Sequence, residues 1–516
     1  MNIYELIAFI VYFVAMLGIG FYFFFKKKSQ SEKDYFIGGR NMGGAVAALS
    51  AGASDMSAWV LMGLPGAIFA FGLSRVWISI GLLIGTIVVW LVIAPKLRRF
   101  AIKAGDAITV PEFLSNRFKA KNPTLRIACA IIFVIAYCIY SASSIAACGD
   151  VITAIIPNID KKTVQIIAAV IIVAYTLLGG FNAVCWTDFF QGLLMLAALM
   201  LVPIITLGVL KTSGPVGNPS VPVDNFWNLL SSGSFNWASI SDILTGLAWG
   251  LGYFGMPHIL IRYMSIKSEK EMKKSQKIGI AWLFFILLFS TLFALLARTF
   301  LGDALSVQNK NSVFIKVIQT IFRPGVLALI GGIFLSAIIA ASMSTADSQL
   351  LASSSAFSSD IYKAAIRKKA SNKEMLWVGR IAVAFISIVA LLIALFVSSD
   401  IMGLVSAAWS IFGASFGPVI ILSLFWKRFN YKGAVTGIIV GFVTSILWMV
   451  LFNFEYYATV TMPLKSIIYN TNLYELLPSF ILSMVSAIVV TLLTKKPSKE
   501  VVELYESVGK CVENED

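Results

Sequence analysis

Residues 49–63, LSAGASDMSAWVLMG, put Asp55 inside a long apolar run, with Ser50, Ser54 and Ser57 around it and Ala51, Gly52 and Ala53 leaving the backbone uncrowded. An unpaired charge at bilayer depth costs at least about 2.5–3.5 kcal/mol, and function is the usual reason for a chain to keep one. The run starts near residue 43, so Asp55 sits roughly 20 Å along it at 1.5 Å per residue. A locally unwound backbone here would present carbonyls to a hard cation, which prefers oxygen donors. The plainer alternative is an acid that caps the end of a broken helix. A second stretch, SAIIAASMSTADSQLLASSS, spaces Ala341, Ser344, Thr345 and Ser348 at i, i+3, i+4 and i+7, one helical face. Two hydroxyls and a carbonyl on that face would complete an oxygen cage begun by the first stretch. Such a face serves equally well as an ordinary helix–helix contact.

Two more acids lie in apolar surroundings. Asp347 adjoins the hydroxyl face, and Asp188, in WTDFFQG, is expected at the start of a later span, nearer the cytoplasmic surface. Each is a candidate cation ligand, proton-titrating group or helix N-terminal charge. Trp59, Tyr140, Trp249 and Tyr253 would wall a small pocket with apolar faces and polar tips. His258 is the single histidine. No nucleophile–base constellation surrounds it, and GxxxxGK[ST] is absent, so neither an enzyme nor a nucleotide-driven pump has support. Cys129, Cys138, Cys148, Cys185 and Cys511 show no metal-type spacing and read as plain thiols.

The elements that must position these groups are membrane helices. Of 516 residues, 58% are hydrophobic and 13% charged, with mean hydropathy +0.86; soluble domains carry about a quarter charged residues. Apolar runs long enough to cross a bilayer recur along the whole chain. Thirteen are expected, at 3–25, 43–70, 76–95, 127–156, 164–182, 189–210, 241–261, 278–300, 326–357, 377–397, 402–425, 433–453 and 475–494. The first has no basic residues before it and ends against Lys26, Lys27 and Lys28, the pattern of a retained helix and not of a cleaved signal. With the N-terminus outside and the C-terminus cytoplasmic, 32 of the 41 Lys and Arg residues fall in cytoplasmic loops and nine on the other side. That bias accounts for the +15 net charge as a topology signal and leaves no role for nucleic acid.

The second span contains Gly52, Gly63, Pro65 and Gly66, and the seventh contains Gly246, Gly250, Gly252, Gly255 and Pro257. Interrupted spans at matching positions of two halves point to inverted repeats with a midplane site. The expected organisation is a first helix and cytoplasmic loop at 1–42, repeat one at 43–210, and an extracellular loop at 211–240. Repeat two follows at 241–425, then two C-terminal helices at 426–494 and a cytoplasmic tail at 495–516.

The motifs YFIGGRNMGG, LSAGASDMSAWVLMGLPGA, GGFNAVCWTDFFQG, WGLGYFGMPHILIRYM, AASMSTADSQLL and WVGR together resemble the sodium:solute symporter family, most closely its sodium/proline branch. The likeness runs through residues 1–495. It implies an all-α polytopic protein of about thirteen transmembrane helices with a LeuT-like five-plus-five inverted repeat, helices 2–6 and 7–11. It implies a sodium ion held by the carbonyls of Ala53, Met56 and Ala341 and the hydroxyls of Ser344 and Thr345. The solute would lie among Ser57, Trp59, Gly63, Tyr140, Trp249, Tyr253 and Pro257, with Arg40 and Asp55 serving coupling. Asp188, Ser344, Asp347 and Ser348 form a possible second cation site.

The expected function is sodium-coupled uptake of L-proline by alternating access, in the plasma membrane and among its lipids. Symport of another small amino acid, an osmolyte or a carboxylate is the nearest alternative. A non-transporting solute sensor is a weaker one, since the tail is too short for a signalling domain.

Overall fold

The computed structural model describes residues 3–26, 32–156, 158–218, 225–323, 325–396, 401–452 and 473–509. Parts of the expected 211–240 loop and 495–516 tail, with Lys27, Lys28 and Cys511, lie outside them. The chain is all-helical, 85% helix with no strands among the described residues. In order the helices are α1 (Ile3–Lys26), α2 (Glu32–Ile37), α3 (Gly44–Met56), α4 (Gly63–Phe71), α5 (Val76–Val88), α6 (Ala94–Lys103), α7 (Val110–Arg117), α8 (Thr124–Ile155) and α9 (Lys161–Ser213). They continue as α10 (Trp237–Ala248), α11 (Pro257–Ser265), α12 (Glu269–Leu301), α13 (Val313–Ile321), α14 (Leu327–Ser355), α15 (Asn372–Phe396), α16 (Ile401–Phe425) and α17 (Tyr431–Phe452), followed by Leu476–Leu493 and Lys499–Gly509. Ten helices among the described residues are long and apolar enough to cross a membrane, eleven when the bent pair α3 and α4 is counted as one span.

Both glycine-rich spans are broken. Between α3 and α4 the axis turns by 70°, through a short 3-10 turn at Ala58–Val60. The break begins at Ser57, whose φ of 47° is uncommon for a residue with a side chain. The second span runs as α10, a 3-10 segment at Trp249–Phe254, and α11, which Pro257 opens at its first position. Proline suits that place because the missing N–H would have no helical partner there.

The two expected spans 164–182 and 189–210 form the limbs of α9, which kinks at Gly180 (φ 59°, ψ −173°). The turn falls earlier than the sequence reading placed it, so Asp188 lies roughly two turns into the second limb. It is fully buried in the protein interior. The tail, expected to be too short for a signalling domain, carries a described helix at Lys499–Gly509. This helix lays Tyr505 against the buried Arg117, 5.2 Å from guanidinium to ring centroid.

α16 and α14 form the centre: in their most apolar stretches 83% and 78% of the residues are buried, against 28% for α17 and 33% for α15. Around them the backbones approach closely wherever glycine allows it. A Cβ on Gly85 of α5 would stand 2.3 Å from the Gly250 carbonyl, and one on Gly250 would stand 2.1 Å from the Gly81 carbonyl. Small residues at such crossings are how membrane helices gain packing without a hydrophobic drive. Gly85→Ala must therefore push α5 off the second broken span, at a cost of about 1–3 kcal/mol by overpacking. A lowered melting temperature in detergent, with reduced uptake, is expected; unchanged values for both would show that this crossing is not tight.

Candidate functional site

The last four carbonyls of a helix have no partner within it. In α3 these belong to residues 53–56, and two of them are met by side chains from elsewhere. The Tyr140 hydroxyl on α8 donates to the Asp55 carbonyl at 3.1 Å. The Ser344 hydroxyl on α14 lies 3.0 Å from the Ala53 carbonyl and 3.1 Å from the Ala341 carbonyl. A single hydroxyl proton serves one of these at a time, so oxygens outnumber protons at this point. Beside it the Thr345 Oγ1 is buried with no hydrogen-bond partner. Buried hydroxyls are normally bonded, and an orphan next in sequence to a hydroxyl shared by two carbonyls is a donor set that suits a hard cation. The Met56 carbonyl belongs to the same exposed end of α3. The negative end of that helix's dipole points the same way.

Asp55 is 4% exposed. Its Oδ2 accepts from the Tyr253 hydroxyl at 2.6 Å, while its Oδ1 is buried and unpartnered. The carboxylate thus bridges the two broken spans with one oxygen and keeps the other available. Ser57, expected at the solute site, accepts the Trp59 amide at 3.1 Å and holds the turn. Gly63 supports the same side chain from behind. A Cβ there would come within 2.7 Å of the Trp59 ring.

A cavity next to the break is lined by Asp55, Met56, Trp59, Leu82, Tyr140, Trp249, Val405 and Trp409. The space a water's centre can occupy in it is about 10 Å³, roughly one water molecule. The walls are stacked aromatic rings. Trp59 lies on Trp249 at 5.3 Å and 23°, and Trp249 lies on Tyr474 at 5.1 Å and 22°. Any solute larger than one water must part this stack to bind. Of the seven expected solute contacts, Trp59, Tyr140 and Trp249 line the cavity; Ser57, Gly63 and Tyr253 hold its walls. Pro257 opens α11 farther along the same broken span.

Sequence reading missed Trp409, Leu82 and Val405, together with Met402, whose sulfur accepts the Trp59 indole N–H at 2.6 Å. Three of the four come from α16, whose run SAAWSIFGASFG is rich in small and hydroxyl residues around one tryptophan. That composition was the available signal.

Arg40 sits at the basic end of the molecule, in a turn where Gly38, Gly39 and Arg40 all have positive φ. Its Nε donates to Asp106 at 2.6 Å, and its terminal nitrogens donate to the carbonyls of Met264 and Ala107. Lys33 also pairs with Asp106. Burial alone would raise the Asp106 carboxyl, but hydrogen bonds from Lys33 and Arg40 outweigh it and hold the group below the ordinary carboxylate range. Met42 and Ile266 form a parallel bridge, with the Met42 amide on the Ser265 carbonyl at 3.2 Å. The basic ends of both broken spans are thereby fastened together.

The residues expected to offer a second cation site divide between two arrangements. Ser344 belongs to the oxygen set beside Ala53. Asp188 is paired instead with Arg262 of α11, Nη2 to Oδ2 at 2.8 Å, and accepts from Ser50 at 2.6 Å. Ser348 lies 3.1 Å from Asp347 Oδ1 and 3.4 Å from Asp188 Oδ2. Asp188 is thus an acid already neutralised by a guanidinium, and sequence reading had assigned Arg262 no role beyond a basic loop.

Two interrupted spans meeting at a buried aromatic cavity, with an acid and an oxygen set at their breaks, suit a secondary transporter. A family model described as the sodium:solute symporter family matches residues 35–441, and the chain belongs to that family. It is 40% identical over 506 residues to the osmoregulated proline transporter OpuE of Bacillus subtilis, covering 98% of each chain. It is 42% identical over 492 residues to that organism's high-affinity proline transporter PutP, covering 95% of this chain and 98% of the relative. With the sodium/proline symporter of Staphylococcus aureus it shares 39% over 491 residues, covering 94% and 92%. Among solved structures, a Na+-coupled sialic acid symporter in a substrate-bound outward-open state matches with a TM-score of 0.76 at 19% identity, covering 96% of this chain and 99% of the other. MhsT in complex with L-phenylalanine matches with a TM-score of 0.52 at 14% identity, covering 87% and 97%. At those identities the likeness is one of fold.

Proposed function

We propose that the chain takes up L-proline together with sodium by alternating access across the plasma membrane, its N-terminus outside and its C-terminus cytoplasmic. The observation that carries sodium coupling is the Ser344 hydroxyl set between the Ala53 and Ala341 carbonyls, with the unpartnered Thr345 oxygen beside it. Relatives named for proline at 39–42% identity along nearly the whole chain support the cargo. Sodium is a co-substrate here, held by the carbonyls of Ala53, Met56 and Ala341 and the hydroxyls of Ser344 and Thr345.

The solute carboxylate suits the amide-rich starts of α4 and α11, where helix dipoles are positive. The ring suits the faces of Trp59, Trp249 and Tyr140, and the secondary amine gains modest cation–π attraction from the same rings. Asp55 places a negative charge between the two, and Arg40 fastens the basic end until the bundle rocks. Thirteen spans follow when 161–179 of α9 and the interrupted 237–265 are added to the eleven that length and apolarity mark. Helices 2–6 and 7–11 then form the inverted repeats, each opening on a broken span.

One sodium is energetically sufficient. A 100 mV potential contributes about 2.3 kcal/mol per charge. A tenfold gradient adds about 1.4 kcal/mol, and the total corresponds to a few hundredfold accumulation.

Radiolabelled proline uptake into proteoliposomes under an inward sodium gradient tests the reading. Accumulation above equilibrium with sodium, and none with choline or a proton gradient, is the expected result. Sodium-driven accumulation of a different small amino acid, osmolyte or carboxylate would keep the cage and change the cargo. No accumulation of any solute under any gradient would overturn transport in favour of sensing.

A further inference from the structure

Arg262 is 2% exposed and lies on the inner half of the second broken span. Every donation it makes goes to another oxygen: its Nε to the Ser50 hydroxyl of α3 at 2.7 Å, its Nη1 to the His258 carbonyl at 2.7 Å, and its Nη2 to Asp188 Oδ2 of α9 at 2.8 Å and to the Ser348 hydroxyl of α14. Ser348 accepts from the guanidinium and therefore turns its own proton toward Asp347 or Asp188. Four spans thus converge on one positive charge through oxygen atoms alone. Two of those oxygens are the Ser348 hydroxyl and a carboxylate of Asp188, which are candidate donors for a second cation.

We propose that the Arg262 guanidinium is a tethered cation occupying the second cation position, so that one sodium ion and not two moves with each solute. The proposal rests on the sodium-coupled reading above. Asp188 lies in the interior, and a buried carboxylate persists only when its charge is compensated. A mobile ion would do this and would then be carried through the cycle. A guanidinium fixed to α11 does it without leaving the protein, because it can withdraw only as far as its half-helix moves. Arginine suits the task, since its planar fork offers five donors and stays charged in any surroundings.

Removing that charge should leave oxygens able to recruit an ion from solution. The test is the sodium dependence of proline uptake in proteoliposomes, with radiosodium equilibrium binding to the purified protein beside it. The wild type is expected to bind one sodium per chain with a Hill slope near one. In Arg262→Gln the slope is expected to approach two, so that below saturation a tenfold rise in sodium raises uptake by about a hundredfold instead of about tenfold by mass action. Arg262→Lys, which keeps the charge, and the neutral pair Arg262→Gln with Asp188→Asn should both return the slope to one.

A transporting Arg262→Gln with a slope of one would overturn the proposal. Two sodium ions bound per wild-type chain would overturn it whatever the variants do, including the case in which Arg262→Gln fails to reach the membrane. A wild type that takes up proline with no sodium dependence would instead sink the parent reading, which keeps the two failures distinct.

Discussion

Asp55→Asn is expected to lower sodium-driven uptake by about a hundredfold or more while leaving the amount of folded protein in the membrane unchanged or higher. The substitution keeps the shape of the side chain and an oxygen for the Tyr253 hydroxyl, which donates at 2.6 Å. What it removes is charge. Two unit charges roughly 6 Å apart at an effective dielectric near 20 attract by about 2.8 kcal/mol, and each 1.4 kcal/mol is about tenfold in affinity. Stability should move the other way, because the Oδ1 of Asp55 is buried without a partner and a lone charge at depth costs about 2.5–3.5 kcal/mol on insertion scales. Uptake measured against the thermal stability of the same purified variant separates the two. A variant that transports normally would make Asp55 a cap on the end of α3 and nothing more. A variant that loses transport and folding together would mean the charge is compensated structurally, against the unpaired oxygen seen here.

Thr345→Val is the second large effect, and it discriminates because valine is nearly isosteric. If the unpartnered Oγ1 of Thr345 were only a polar atom trapped in the core, replacing it by a methyl would be neutral or stabilising. As a sodium ligand its loss should raise the sodium concentration for half-maximal uptake by about tenfold or more, roughly 1.4 kcal/mol or more of lost coordination. Ser344→Ala should act in the same direction and more strongly. Besides the ligand, it leaves the Ala53 and Ala341 carbonyls without the proton that now serves them at 3.0 and 3.1 Å. Sodium titrations at fixed proline, normalised to protein in the vesicles, are the measurement. A Thr345→Val curve that overlays the wild type would remove this residue from the cage.

Much of this was readable because it is local. A membrane span is defined by the apolarity and length of one continuous stretch. Where Gly and Pro cluster in such a stretch the helix breaks, and the breaks at Ser57 and at Trp249–Phe254 fall where the sequence reading put the interruptions. The face carrying Ala341, Ser344 and Thr345 was likewise a matter of helical spacing, though spacing alone left open whether it met a cation or another helix. As site residues, Gly63 and Arg40 entered only through family resemblance. A glycine's role under Trp59 depends on which ring lies over it, and an arginine's role depends on which carbonyls it reaches.

The composition, the periodicity and the glycine-broken spans of this chain determined by themselves that it is a helical membrane protein with oxygen-bearing faces and a buried acid. Only the tertiary structure decided that α16, through Trp409, Val405 and Met402, completes the cavity, that the turn in α9 falls at Gly180, and that Asp188 pairs with Arg262 instead of standing at a helix start. The physical reason is the same in each case. Which side chain compensates a buried charge, or closes a pocket, depends on the register in which distant helices pack, and that register is set by interlocking shapes such as Gly85 against Gly250 and not by any pattern within one helix.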